Sequence, residues 1–372
     1  MRVIHVGPSQ LPIGYRYGGA IERRMVEVAV AQSRLGMKVV IYSASQRGRS
    51  ELFRGTEIRH EACRMAEPFR RFEYLFHVLR DLKARNERPD VIHFHSVPEG
   101  ALFFSRLKVK TYLSYDNYFF SHGKRTPLFL TYRKLLRKFT ALLPVSNYCL
   151  DRSRDYWDLD PTSMYVIYNG VNLDQFSPDM AAGEALKVKL GISGEKTVLY
   201  VGRICEQKGT DLLLDAYQDL RARVPNVKLV VAGPPAQFGR SGKTIITERI
   251  KDVGGIYLGA VAEDILASVY NLADVFVMPT RDLEMFGMAA LEAQACGKPV
   301  VCSRHGGLTE VVTNESGLFF PVGNVKALVD ALWVLLSDEP MRLFFSRAAR
   351  KNAERFNWDR VVVDLKKAYE ES

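Results

Sequence analysis

Short runs of β-branched and aromatic residues alternate with helical-period stretches along the whole chain. That pattern predicts parallel sheets assembled from strand–helix units. In the first half, residues 1–7, 38–43, 90–96, 109–115, 142–146 and 164–168 read as strands, with a weaker signal at 57–60. Helical spacing marks residues 20–35, stopped by Gly36, and residues 72–85. Residues 172–183 are broken by Pro178, lack a period and read as a linker. A second series follows, with strands at 197–202, 228–233, 255–259, 275–279, 299–303 and 317–321. Its clearest helices are residues 211–223 and 288–296, and from 325 onward the chain reads as all helical, ending with 358–369.

Two such series fit the length. Single cores stop growing near about 250–300 residues, so 372 residues predict two domains. Each would be a doubly wound, Rossmann-like α/β domain, and such a tandem is expected to hold a cleft between the carboxyl ends of its sheets. Composition agrees: 47% hydrophobic and 25% charged is ordinary for a globular protein. No run of about 18 apolar residues predicts a membrane span. The opening residues 1–7 read as a strand and not as a secretory leader.

Charge sharpens the picture. Residues 1–180 carry 28 Lys+Arg against 18 Asp+Glu, and residues 181–372 carry 24 against 24, so the whole net charge of +10 lies in the first half. An anionic partner for that half follows, whether nucleic acid, membrane surface or phosphorylated substrate. Five cysteines, an odd number without Cys-x-x-Cys spacing, exclude a complete disulfide framework and a zinc ribbon, and fit a reducing cytoplasm.

Several chemistries are absent from the sequence. There is no Walker loop, no Gly-x-Gly-x-x-Gly at Gly14, Gly18 and Gly19, and no Gly-x-Ser-x-Gly elbow. His93 and His95 share a strand face, but no further ligand is near in sequence, so hydrogen-bonded roles outweigh a metal pair.

The stretch from Glu284 to Val301 carries the most information: two glutamates, Glu284 and Glu292, separated by seven residues, then Gly297-Lys298-Pro299-Val300-Val301. Gly287 marks a helix start, which puts Glu284 in the preceding loop and Glu292 on the second turn. Phe286, Gly287 and Met288 would then offer N–H groups at a positive helix end to hydroxyls or phosphate oxygens. By themselves, two acids at this spacing fit an ordinary helix with one acid favoured by the dipole and one on the surface. Upstream, Gly202-Arg203-Ile204-Cys205-Glu206-Gln207-Lys208-Gly209 follows a strand and precedes a helix. Arg203 and Lys208 form either a cationic pair for a diphosphate or a solvated basic turn.

The Glu-x7-Glu block, the following Gly306-Gly307-Leu308-Thr309-Glu310-Val311-Val312 and the Gly-Arg-x4-Lys-Gly pattern resemble the retaining GT-B glycosyltransferases of family 4. The resemblance extends across nearly the whole chain. It implies a GT-B fold with an acceptor domain over residues 1–175 and a nucleotide-sugar domain over 176–352. A final helix within 353–372, after Phe356-Asn357-Trp358, would cross back to the first domain. It implies that Glu284 lies by the donor sugar and Glu292 on the ribose, with the backbone of Met285, Phe286, Gly287 and Met288 at sugar and diphosphate. Arg203 and Lys208 would carry the leaving diphosphate, so that no metal ion or other cofactor is needed. Gly18-Gly19 would approach the donor phosphates, and the loop at Val261 the base. Gly202 stands in the same donor-binding loop.

One position departs from the family. Many members have a His at the end of the strand over 109–115, where this chain reads Leu113-Ser114-Tyr115-Asp116-Asn117-Tyr118. Asp116 either accepts a hydrogen bond from substrate or caps a turn. His95 matches another common family pattern and is the second candidate for that role. The reading is then a metal-independent retaining transferase moving a sugar from a nucleoside diphosphate to an acceptor hydroxyl, on a glycan, glycolipid or small glycoside. Its rivals are an epimerase or phosphorylase relative and a nucleotide-sugar binder without turnover. Acceptor-dependent nucleotide release separates the three.

Finally, residues 123–139 interleave Phe129, Leu130, Leu135, Leu136 and Phe139 with six positive charges. That pattern fits a segment lying on an anionic membrane and equally a surface helix packing its apolar face on the sheet. A cytoplasmic protein, peripheral on the inner face of the membrane, is the expectation. Nucleic acid is not expected as a partner, because no binding motif accompanies the charge.

Overall fold

The computed structural model describes residues 1–10, 20–46, 48–115, 126–235 and 243–372. They form two units. The first comprises Met1–Gly170 and Trp358–Ser372, the second Val171–Asn357. The chain thus changes unit after Gly170, where the sequence puts the boundary at 175, and returns at Trp358.

In the first unit, strands β1 (Arg2–Val6), β2 (Lys38–Ser45), β3 (Arg49–Phe53), β4 (Thr56–Ala62), β5 (Val91–His95), β6 (Lys110–Tyr115) and β7 (Ala141–Pro144) form one sheet. Its order is β3-β4-β2-β1-β5-β6-β7, parallel except for β3 against β4. β3 was not legible in the sequence. It is an edge strand with two apolar residues, largely exposed. Residues 164–168 are not a strand: Met164 makes one isolated bridge to Leu142. Tyr165 and Ile167 donate to the carbonyls of Leu142 and Pro144, but Pro144 has no N–H to return a bond.

In the second unit, β8 (Lys196–Val201), β9 (Val227–Ala232), β10 (Ile256–Gly259), β11 (Val275–Met278), β12 (Val300–Ser303) and β13 (Gly317–Phe320) pair in the order β10-β9-β8-β11-β12-β13. All are parallel. Their near-continuous apolar runs suit strands covered on both faces by helices. The expected linker is shorter than its sequence signature, because helix Met180–Lys189 begins inside it on an Asp179 cap.

Helix Ala20–Arg34 buries Met25, Val28 and Ala29 at helical spacing. The final helix, Trp358–Glu371, lies in the same core through Val361, Val362, Leu365, Ala368 and Tyr369, although the preceding 187 residues, 171–357, belong to the other unit. Residues 126–139 correct the membrane-segment expectation. Helix Pro127–Leu136 buries Phe129, Leu135 and Leu136, Phe139 is buried after it, and Phe129 stacks on Trp157. Of the five apolar residues in that pattern only Leu130 is exposed. The apolar face belongs to the core.

Candidate active site

A parallel sheet leaves a crevice where its strand order reverses, because the helices on either side lead away in opposite directions. In the second unit that reversal lies between β8 and β11. The loops leaving these two strands are those of Lys208 and Glu284.

The β8 loop is held by its own backbone. The Tyr200 hydroxyl donates to the Arg203 carbonyl at 2.7 Å, and a 3-10 turn, Glu206–Lys208, ends on Gly209 at φ 69°. A Cβ on Gly209 would stand 1.9 Å from the Pro279 carbonyl oxygen, so this crossing of the two loops admits only glycine. The amides of Arg281 and Asp282 donate to the Gln207 carbonyl, stitching the β11 loop to the β8 loop. The β11 loop is fixed from its other side by Gly307, whose amide donates to the Glu284 carbonyl at 2.9 Å. A Cβ there would reach 2.3 Å from the Met285 oxygen.

These constraints bring Lys208 Nζ to 2.6 Å from Glu284 Oε2, with both side chains mostly buried. An ammonium has three donors, so this bond leaves two for a ligand. The sequence grouped Lys208 with Arg203. The structure pairs it instead with the acid, while Arg203 is exposed and has no ion-pair partner among the described residues. Nearby, Thr280 is 1% exposed and its hydroxyl has no partner among the described residues.

Glu292 sits on the second turn of helix Met288–Ala295, which starts after Gly287 as the sequence requires. It is buried, and its Oε2 accepts from the Tyr270 hydroxyl at 2.7 Å. Tyr270 was missed by sequence reasoning, since a tyrosine in helix Glu263–Asn271 gives no sign of its partner. The side chains of Met285 and Phe286 are buried. Gly202 directly follows β8, its amide donating to the Ala232 carbonyl, and Val261 lies in the loop after β10. Glu292→Ala is expected to weaken nucleotide affinity about tenfold or more by removing a buried hydrogen-bond acceptor. Titration calorimetry with UDP and GDP checks this, and unchanged affinity would remove Glu292 from the site.

In the first unit the order reverses between β1 and β5. His95 is the last residue of β5 and is buried. Gly18, Gly19 and Asp116, expected in the site, lie outside the described residues. His5, which no sequence pattern marks, joins His93 and His95, the one group of three clustered potential ligands among the described residues. Its geometry does not suit a metal. The His93 and His95 rings stack at 4.2 Å between centroids and 21° between planes, and a metal must lie near the plane of every imidazole that holds it. Burial, with Arg24 nearby as a smaller contribution, brings the His5 pKa down to about 4 and holds His93 and His95 well below their ordinary value.

Two doubly wound units in tandem, each with one reversal of strand order, form the architecture of the GT-B fold. Residues 17–175 match the family described as Glycosyltransferase Family 4, and residues 183–352 match Glycosyl transferases group 1. The chain belongs to glycosyltransferase family 4, and it is an enzyme of that kind. A D-inositol 3-phosphate glycosyltransferase of Saccharomonospora viridis is 29% identical, over 99% of this chain and 93% of that protein. One of Salinispora tropica is 35% identical over 59% of this chain and 48% of its own length. In fold, the chain is similar to a sucrose-phosphate synthase of Thermosynechococcus elongatus, with TM-score 0.79, 20% identity and 100% and 99% of the two chains covered. An Anabaena protein, HepE, solved with UDP and glucose, has TM-score 0.78 at 16% identity, with 100% and 99% covered.

Proposed function

We propose that this enzyme transfers a hexosyl group, with retention, from a nucleoside diphosphate sugar of the UDP or GDP type to a hydroxyl of an anionic or lipid-linked acceptor. The observation that supports this most is the Lys208–Glu284 pair at the β8/β11 reversal, where an acid and a cation share one ligand site. In this reading Lys208 and Arg203 neutralise the diphosphate, Glu284 meets the sugar hydroxyls and Glu292 the ribose. The β-phosphate leaves with the glycosidic electron pair. It accepts the proton of the incoming hydroxyl on the same face, and the new bond forms on that face. Cationic stabilisation of the departing phosphate is the main electrostatic requirement, and side chains meet it without a metal.

The first unit binds the acceptor in this reading. Its charge of +10 over residues 1–180 suits an anion, and the full-length relative in Saccharomonospora viridis is named for a phosphorylated polyol. A UDP-bound fold relative, HepE, supports the donor class. The test is release of nucleotide from UDP- and GDP-sugars with and without D-inositol 3-phosphate and lipid-linked acceptors. Acceptor-dependent release, undiminished in EDTA, is expected. Loss on chelation with recovery on magnesium would contradict the metal-free reading.

No helix among the described residues is long and apolar enough to cross a membrane. Contact with the cytoplasmic face of one, if the acceptor is lipid-linked, falls to a different surface from the buried face of helix Pro127–Leu136. Phe69, Phe72 and Phe76 line the exposed side of helix Phe69–Ala84, and Leu102, Leu128 and Leu130 stand exposed on the next helices of that face. Exposed Arg80, Arg106, Lys108 and Lys134 accompany them. The protein is expected to sediment with phosphatidylglycerol vesicles at low salt and to be released at high salt. Phe69→Glu with Phe76→Glu is expected to abolish this, and a wild type that stays in the supernatant would leave the transferase free of membrane.

A further inference from the structure

Three buried histidines on the adjacent strands β1 and β5 need hydrogen-bond partners, and the structure supplies them in one continuous chain. His95 Nε2 lies 2.8 Å from His5 Nδ1, and His5 Nε2 lies 2.7 Å from Gln32 Oε1. Gln32 Nε2 donates to the Tyr369 hydroxyl at 3.4 Å. That hydroxyl is 2.6 Å from His93 Nδ1, and His93 Nε2 is 2.7 Å from Ser114 Oγ. All six side chains are buried. Gln32 occupies the next core-facing position of helix Ala20–Arg34 after Met25, Val28 and Ala29, where a polar residue requires a partner.

The chain has a direction. The Gln32 oxygen only accepts, so His5 carries its proton on Nε2 and its Nδ1 is an acceptor. His95 must then donate from Nε2, which leaves its Nδ1 a bare lone pair. At the other end, Gln32 donates to Tyr369, Tyr369 to His93, and His93 to Ser114. Reversing every bond would leave a buried N–H of His95 without an acceptor, the rarer and costlier defect. His95 Nδ1 has no partner among the described residues, and neither has the hydroxyl of Ser96, the next residue, which is held at φ 56°. Both orphaned atoms lie at the end of β5, on the edge of the β1/β5 reversal where a ligand is expected.

We propose that Gln32 and Tyr369 are positioning residues: they hold His95 in the Nε2–H tautomer, so that Nδ1 accepts a hydrogen bond from a hydroxyl of the acceptor substrate. The final helix, which returns from the second unit, is thereby part of the acceptor side. This rests on the reading of the first unit as acceptor-binding.

The wild type alone tests the tautomer. Two-bond 1H–15N couplings of 15N-histidine-labelled protein are expected to show His95 protonated only on Nε2. A proton on Nδ1 overturns the relay. Gln32→Leu and Tyr369→Phe are expected to give mixed tautomers at His95 and about tenfold lower kcat for UDP-glucose turnover with KM within twofold, since misorientation of a reacting group acts on the chemical step. Gln32→Glu still accepts from His5 and is expected to restore the tautomer and most of the kcat, which a merely structural role would not produce. Equal losses in Gln32→Leu and Gln32→Glu, or full kcat in Tyr369→Phe, overturn the positioning role. Full turnover in His95→Ala overturns the acceptor-side reading itself, whatever the tautomer.

Discussion

Lys208→Ala is expected to lower turnover by at least two orders of magnitude, about 3 kcal/mol of transition-state stabilisation. Two effects act together. The departing diphosphate loses a cation, and Glu284 is left mostly buried with no ion partner, repelling the same phosphates. Glu284→Gln keeps the shape and removes that charge, so it is expected to reduce turnover with little change in affinity for free nucleotide. The two sites are in contact, so Lys208→Ala with Glu284→Gln is expected to cost less than the sum of the singles. Single-turnover kinetics and nucleotide titration on the three variants check this. Wild-type turnover in Lys208→Ala, or strict additivity, would contradict the paired site.

Acid is expected to destabilise the first unit well before carboxylates titrate. His5 is neutral in the fold, with its pKa lowered to about 4, while in the unfolded chain it titrates near 6.5. Between these values the unfolded state binds more protons, so stability is fully present above 6.5 and falls as pH falls. The loss attributable to His5 alone reaches about 3 kcal/mol at pH 4. His93 and His95, shifted the same way by burial and by the neighbouring histidines, add to it in the same direction. Arg24 opposes protonation of all three. Urea unfolding between pH 7 and pH 5 measures this above the carboxylate range. The midpoint is expected to fall throughout, and a flat profile would contradict the buried neutral cluster.

How much of this the sequence carries depends on how local each feature is. Strands β8 to β13 are legible to within a residue or two because each is a compact apolar run bounded by glycine, proline or polar residues. β3 is not, since an exposed edge strand needs no apolar run. The Glu284 and Glu292 positions are legible from spacing and Gly287. The bond from Lys208 to Glu284 is not, because it joins residues 76 apart through loops fitted by Gly209 and Gly307. Residues 126–139 show the limit of amphipathicity. The period gives the apolar face of helix Pro127–Leu136, and only the packing against Trp157 says that this face belongs to the core. His93 and His95 are legible as a pair two apart on one strand, but their partners His5, Gln32 and Tyr369 come from β1 and two helices up to 276 residues away.

The measurement that bears most directly on the account is the anomeric configuration of the first product. Proton NMR during transfer from an α-configured nucleoside diphosphate sugar, in EDTA, is expected to show the α-anomeric signal of the product growing at the rate of nucleotide release. A product that first appears in the β configuration, or nucleotide release that needs no acceptor, would contradict it.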